Sequence, residues 1–180
     1  MEILKFNLKG SHAFFKVPEV NTYYYFTYGN IHKVALLGML GAIMGYKGYQ
    51  MEDKDYLEFY EKLQYLNVSI VPEQKQGYFQ KKIQVFNNSV GYASKEAGGN
   101  LIVKEQWLEN PEWTIYIQIK DEESRELAER IMARKCTYMP YLGKNDHMAD
   151  ISGMCIVSGE ERFPKNETAD SLVPEGAVQF

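Results

Sequence analysis

The sequence predicts an α+β fold, a ferredoxin-like (RRM-like) β-α-β-β-α-β domain with a protruding β-hairpin. Three observations carry this. Strand-like and helix-like segments follow one another in that order over residues 1–158. Two strand-like arms in the middle flank a polar stretch holding Gly91, Gly98 and Gly99. An apolar helix follows the first strand, and an amphipathic helix precedes the last.

The elements follow in order. Ile3 to Leu8 reads as a strand, which Lys9-Gly10-Ser11 breaks. Pro18 keeps the next segment extended. Asn30 is expected as the N-cap of a helix from Lys33 to Gly45, apolar almost all round and hence buried. A second helix is expected over Lys54 to Leu66, with Tyr56, Phe59, Tyr60 and Leu63 at helical spacing. Leu66 to Val71 is a strand ending at Pro72.

Lys81 to Phe86 and Leu101 to Trp107 form the hairpin arms, and the tip between them should be mobile. Trp113 to Ile119 alternates as a strand. Asp121 to Lys135 is an amphipathic helix with Leu127, Ile131 and Met132 facing inward. Met154 to Val157 is the last strand, and both Trp107 and Trp113 are expected in the core. The domain therefore spans 1–158 with the hairpin, about 80–107, inserted in it. Residues 159–180 read as a polar tail, the start of a missing or short C-terminal region.

Net charge is −4, which argues against coating duplex DNA by charge alone. Residues 1–50 carry five lysines against Glu2 and Glu19, a surplus of three, so the remaining 130 hold −7. A basic N-terminal face on an acidic body fits a nucleic-acid contact on one surface and protein neighbours elsewhere. Cys136 and Cys155 form no CxxC pair, so cysteine offers no metal framework, and no metal or other cofactor is expected. The apolar run Val34 to Met44 is too short to span a bilayer, and no secretory h-region follows Met1. A reduced, cytoplasmic protein without membrane contact is expected.

The chain has 14 tyrosines, and the segment after the first strand concentrates aromatic and basic residues. Rings stack on bases and lysines pair with phosphates. Lys9, Ser11, His12 and Lys16 lie where a strand-end loop could reach phosphates. Tyr23, Tyr24, Tyr25 and Tyr28 are candidates for base stacking, although alternation cannot put all of them on one face. Asn30, His32 and Lys33 sit at the start of the apolar helix, where free N–H groups favour phosphate. Tyr141, Lys144, Asn145 and His147 belong to a loop around Gly143. In the hairpin, Asn87, Asn88, Tyr92, Lys95 and Lys104 could touch a backbone. Solvated loops and core packing are the plain alternatives for each.

Three segments together resemble the Cas-five family, CRISPR-associated proteins of the RAMP superfamily, in its type I-B branch. They are Phe6-Asn7-Leu8-Lys9-Gly10 running through the tyrosines into Val34 to Gly45, then Glu105-Gln106-Trp107-Leu108, then Tyr138 to Asp146. The resemblance implies a subunit at one end of the Cascade surveillance complex that holds the 5′ handle of the crRNA. It implies contacts with the last Cas-seven-type backbone subunit and the Cas-eight-type large subunit, and with target DNA only indirectly. The hairpin would be the family's thumb, which kinks the guide. Family members usually continue into a further β-rich region, so this chain looks short at its C-terminus.

Some relatives in type I-C systems cut precursor RNA with a Tyr and an adjacent Lys–His pair. The nearest set here is Tyr28, His32 and Lys33, in reversed order. It does not match the family's catalytic pattern, and no catalytic residue is expected. A metal-independent endoribonuclease is the rival reading.

Overall fold

The computed structural model describes residues 1–19, 23–48, 56–160 and 170–173. The strands are β1 (Glu2–Lys9), β2 (His12–Ala13), β3 (Val68–Pro72), β4 (Lys81–Asn87), β5 (Ile102–Glu109), β6 (Glu112–Ile119) and β7 (Asp150–Ser158). The helices are α1 (Lys33–Met44), α2 (Glu58–Leu63) and α3 (Glu122–Met132). The fold is α+β with antiparallel sheets, consistent with an RRM-like domain. One four-stranded sheet has the order β3-β6-β1-β7, and a three-stranded sheet has the order β2-β5-β4.

Alternation in β1 sends Leu4, Phe6 and Leu8 to one face, all fully buried. They sit opposite Ile117, Ile115 and Trp113 of β6, also fully buried. Leu36, Leu37, Leu40 and Ile43 of α1 and Leu127, Ala128 and Ile131 of α3 join the same core. Each such large apolar side chain contributes roughly 1.5–3 kcal/mol on burial.

The β1–β6 ladder does not stop at the sheet end. Lys9 pairs with Glu112, Gly10 N–H donates to the Pro111 carbonyl, and Asn110 N–H donates to the Ser11 carbonyl. His12 then pairs with Glu109. One continuous pairing thus passes from the first sheet into the second, which fixes the hairpin's root. Gly10 lets Leu142 pack close at this point: a Cβ there would lie 2.6 Å from Leu142 Cδ1.

Several expectations are corrected. The N-cap of α1 is His32, whose Nδ1 accepts from Ala35 N–H at 3.2 Å. Asn30 instead accepts from Trp113 Nε1 and donates to the Gly77 carbonyl, both at 3.1 Å. The second helix is shorter than expected, and Lys54 and Asp55 lie outside the described residues. Met132 is exposed, because the buried stripe of α3 runs through Ser124, Leu127, Ala128 and Ile131. Trp107 is only half-buried, whereas Trp113 is fully buried. The last strand starts at Asp150, four residues early, and is bulged where its pairing with β1 shifts between Lys5 and Asn7.

Ser171 and Leu172 lie along the edge of β3: Leu172 N–H donates to the Ile70 carbonyl, and Ile70 N–H donates to Ser171 Oγ. No helix among the described residues is long and apolar enough to cross a membrane.

Candidate nucleic-acid interface

The tyrosine segment is built onto the hairpin. Tyr25 N–H donates to the Lys104 carbonyl and Gln106 N–H to the Tyr25 carbonyl, both at 2.9 Å, so the segment extends the β5 edge beyond β2. Lys16 Nζ sits 4.2 Å from the centre of the Tyr25 ring, and Lys104 Nζ 5.3 Å from that of Tyr24. Tyr24 stacks on Phe26 at 6.3 Å between centroids. Tyr23, Tyr25 and Tyr28 are exposed, and Tyr24 is half-buried. Cation–ring pairs at these spacings leave ring surface and lysine charge side by side.

The second group gathers at the start of α1. His32 lies edge-on to Tyr28 at 5.1 Å and to Phe15 at 6.4 Å between centroids. Desolvation against them lowers its pKa below the ordinary histidine value. Its Nδ1 is held by the cap, which leaves Nε2 for a ligand. Lys33 turns away: its Nζ donates to the Gln64 carbonyl at 2.8 Å. Tyr28 and His32 are therefore together, and Asn30 is anchored to the core through Trp113.

The loop around Gly143 folds onto the other face of the hairpin. Lys144 Nζ lies 3.0 Å from Glu105 Oε2 and over the rings of Phe86 and Trp107, at 4.5 and 5.7 Å. Trp107 Nε1 donates to the same Glu105 oxygen at 2.7 Å. His147, only 4% exposed, stands edge-on to Trp107 at 4.5 Å and to His12 at 6.0 Å. Burial lowers the pKa of His147, with further lowering from His12 and Lys144, against Asp146 and Glu105. His12 is lowered by desolvation and by Lys82, against Glu109. Lys144 and His147 thus serve this cluster, while Asn145 and Tyr141 stay exposed. The sequence reading quoted Glu105 only within the segment Glu105-Gln106-Trp107-Leu108 and gave it no role; in the structure it is the buried carboxylate that organises the cluster.

Lys9 pairs with Asp150 at 3.7 Å on the surface, and Ser11 contributes its carbonyl to the ladder. In the hairpin, Tyr92 and Lys95 occupy the exposed tip, with Lys95 in a short 3-10 turn. Asn87 caps the end of β4 by accepting from Ser89 N–H, and Asn88 N–H pairs with the Leu101 carbonyl. Lys104, opposite Val85 in the β4–β5 ladder, lies beside Tyr24. Ile83, Val85 and Ile102 share the hairpin's outer face with Lys104 and are 47%, 51% and 53% exposed. Among the described residues no three His, Cys, Asp or Glu side chains converge to hold a metal ion.

No protein-family model matches the chain, and no curated protein is similar to it in sequence. Its fold is shared by solved structures. A chain of a "CRISPR RNA-guided surveillance complex" superposes with a TM-score of 0.59 at 14% identity, over 81% of this chain and 60% of that one. A chain described as "Crystal structure of Cas protein" gives 0.51 at 14% identity, over 79% and 57%. The chain thus spans about three-fifths of the length of the structures it matches.

Proposed function

We propose that this chain is a non-catalytic, RNA-holding subunit of a Cascade-type CRISPR surveillance complex, of the Cas-five family. The observation that carries this is the tyrosine–lysine face built onto the root of a projecting hairpin, in a fold shared with CRISPR-complex chains. Exposed rings, and lysines without a carboxylate partner among the described residues, suit single-stranded RNA, whose bases are free to stack. The antiparallel sheet with strand order β3-β6-β1-β7 supports a ferredoxin-like reading.

In this reading the β4–β5 hairpin is the thumb. Its exposed apolar face, Ile83, Val85 and Ile102, meets the Cas-seven-type backbone subunit. The aromatic, basic face takes the crRNA 5′ handle, and the acidic remainder faces other protein neighbours, the Cas-eight-type large subunit among them. Target DNA is met only through the assembled complex, in the cytoplasm.

One observation favours a second reading. Tyr28 and His32 lie 5.1 Å apart between ring centroids, as a proton-transferring pair in an endoribonuclease could. The test treats both. Full chain and backbone subunit are mixed with labelled precursor and mature crRNA in EDTA. Handle-dependent binding with intact RNA is expected. Discrete cuts at the handle boundary, lost in His32→Ala, would overturn the non-catalytic reading.

A further inference from the structure

The loop after Gly143 is held at its base and closed upon itself. Leu142 is fully buried, and its carbonyl accepts from Phe14 N–H at 3.1 Å. Leu142 N–H donates to the His147 carbonyl at 2.7 Å, and His147 N–H to the Lys144 carbonyl at 2.9 Å. The turn so formed carries two side chains to the root of the hairpin. Lys144 reaches Glu105, and His147 packs edge-on against Trp107. These two side chains dock the turn on β5, while Leu142 anchors its base.

His147 is buried, yet its Nε2 has no hydrogen-bond partner among the described residues. An uncharged ring bears this at modest cost, whereas a protonated ring would place a charged donor there without an acceptor. The surroundings also oppose the charge. His12 of β2 lies 6.0 Å away between ring centroids, and Lys144 stands in the same turn. Lys82 of β4 lies 5.8 Å from the centre of the Trp107 ring. On the acidic side stand Glu105 of β5 and Asp146 of the turn, with Glu109 of β5 opposite His12. Glu105 is already engaged, by Lys144 at 3.0 and 3.3 Å and by Trp107 Nε1 at 2.7 Å. The Asp146 side chain is 64% exposed, so water screens it. A neutral His147 thus fits the docked turn, and an imidazolium does not.

We propose that residues 143–147 form a proton-operated latch, docked on the hairpin root while His147 is neutral and undocked when it is protonated. Undocking brings the imidazolium to water, which satisfies Nε2–H and separates it from His12 and Lys82. The sign follows from linkage. His147 has an ordinary pKa in the undocked turn and a lower one when docked, through burial first and then His12 and Lys144. Acid below about pH 6.5 therefore favours undocking. The same step withdraws Lys144 from Glu105 and uncovers the Trp107 indole, so β5 loses its brace while the core around Trp113 stays folded. The latch stands whether or not the chain holds RNA.

The test is an NMR titration of the isotope-labelled full chain from about pH 8 to about pH 5, following the imidazole of His147, the amide of Gly143 and the indole N–H of Trp107. All three should move with one midpoint, below the ordinary histidine value. Acrylamide quenching of tryptophan should rise about threefold or more between pH 7.5 and 5.5 as the latch population shifts. The rise comes from Trp107, because Trp113 is fully buried. His147→Asn, which cannot take the proton, should quench equally at both pH values. His12→Asn should keep the response and move its midpoint upward, because a charge that lowers the His147 pKa is gone. If His147 titrates while Gly143 and Trp107 stay still, the docked turn accommodates the proton and the latch is wrong. It is equally wrong if His147 stays neutral down to pH 5, or if the rise persists in a folded His147→Asn. Loss of the whole fold in the same pH step, read by circular dichroism, also overturns it. Where His147→Asn does not fold, the wild-type titration decides alone.

Discussion

Lys144 Nζ lies 3.0 Å from Glu105 Oε2, and this contact ties the loop after Gly143 to the root of the hairpin. Both groups are largely shielded, and Glu105 also receives the Trp107 indole N–H. Removing either partner leaves the other poorly compensated. A double-mutant cycle of Glu105→Ala and Lys144→Ala, read by urea denaturation, should give a coupling of about 1–3 kcal/mol. Additive single effects would show that the pair contributes nothing beyond its separate contacts.

Gly143 allows that loop to close. Its φ is +83°, and a Cβ there would lie 2.0 Å from the Phe14 carbonyl oxygen. Gly143→Ala should cost more than about 2 kcal/mol. Gly29→Ala is the control: nothing lies within 4 Å of its Cβ position, so stability should stay within about 0.5 kcal/mol of wild type.

The cap of α1 gives a third expectation. His32→Ala removes the acceptor for Ala35 N–H and should cost about 1 kcal/mol. His32→Asn restores a capping side chain and should recover most of it. If the two variants melt alike, the imidazole cap is not what stabilises this helix end.

Stability should fall on acidification. His12, His32 and His147 all have pKa values lowered by desolvation, so below about pH 6.5 the unfolded chain binds more protons than the folded one. The histidine contribution is complete above that pH, and is lost as pH falls toward the depressed folded values. Urea denaturation at pH 7.5 and 5.5 should show the loss, and His147→Asn should reduce the difference between the two. An unchanged difference in that variant would assign the pH dependence to other groups.

The hairpin's outer face should matter for assembly and little for folding. Ile83→Glu with Val85→Glu should leave the monomer's stability within about 0.5 kcal/mol, since both side chains are about half exposed. Co-purification with a Cas-seven-type backbone subunit should be reduced. Undiminished capture would remove this face from the proposed contact.

Much of the fold was legible because it is written in short-range periodicity. Leu4, Phe6 and Leu8 alternate, and Leu127 and Ile131 repeat at helical spacing, so strand and helix follow from the residues themselves. The candidate site was legible only as a composition. Tyr23, Tyr25 and Tyr28, named as candidates, are exposed; His147, placed in a surface loop, is buried, and Glu105 was quoted without a role. Asn30 was expected as the cap of α1, but His32 takes that place, while Asn30 accepts from Trp113 Nε1, 83 residues away.

The sequence by itself determined the alternation of β1 and β6, the Leu127–Ile131 stripe of α3, and the concentration of rings and lysines near the N-terminus. Each depends on neighbours a few residues apart, where spacing dictates geometry. Only the tertiary structure decided which of those rings and charges stay available. Glu105 neutralises Lys144 across 39 positions, and His147 packs against Trp107 and His12. Such partners meet through packing of distant segments, which no local period encodes.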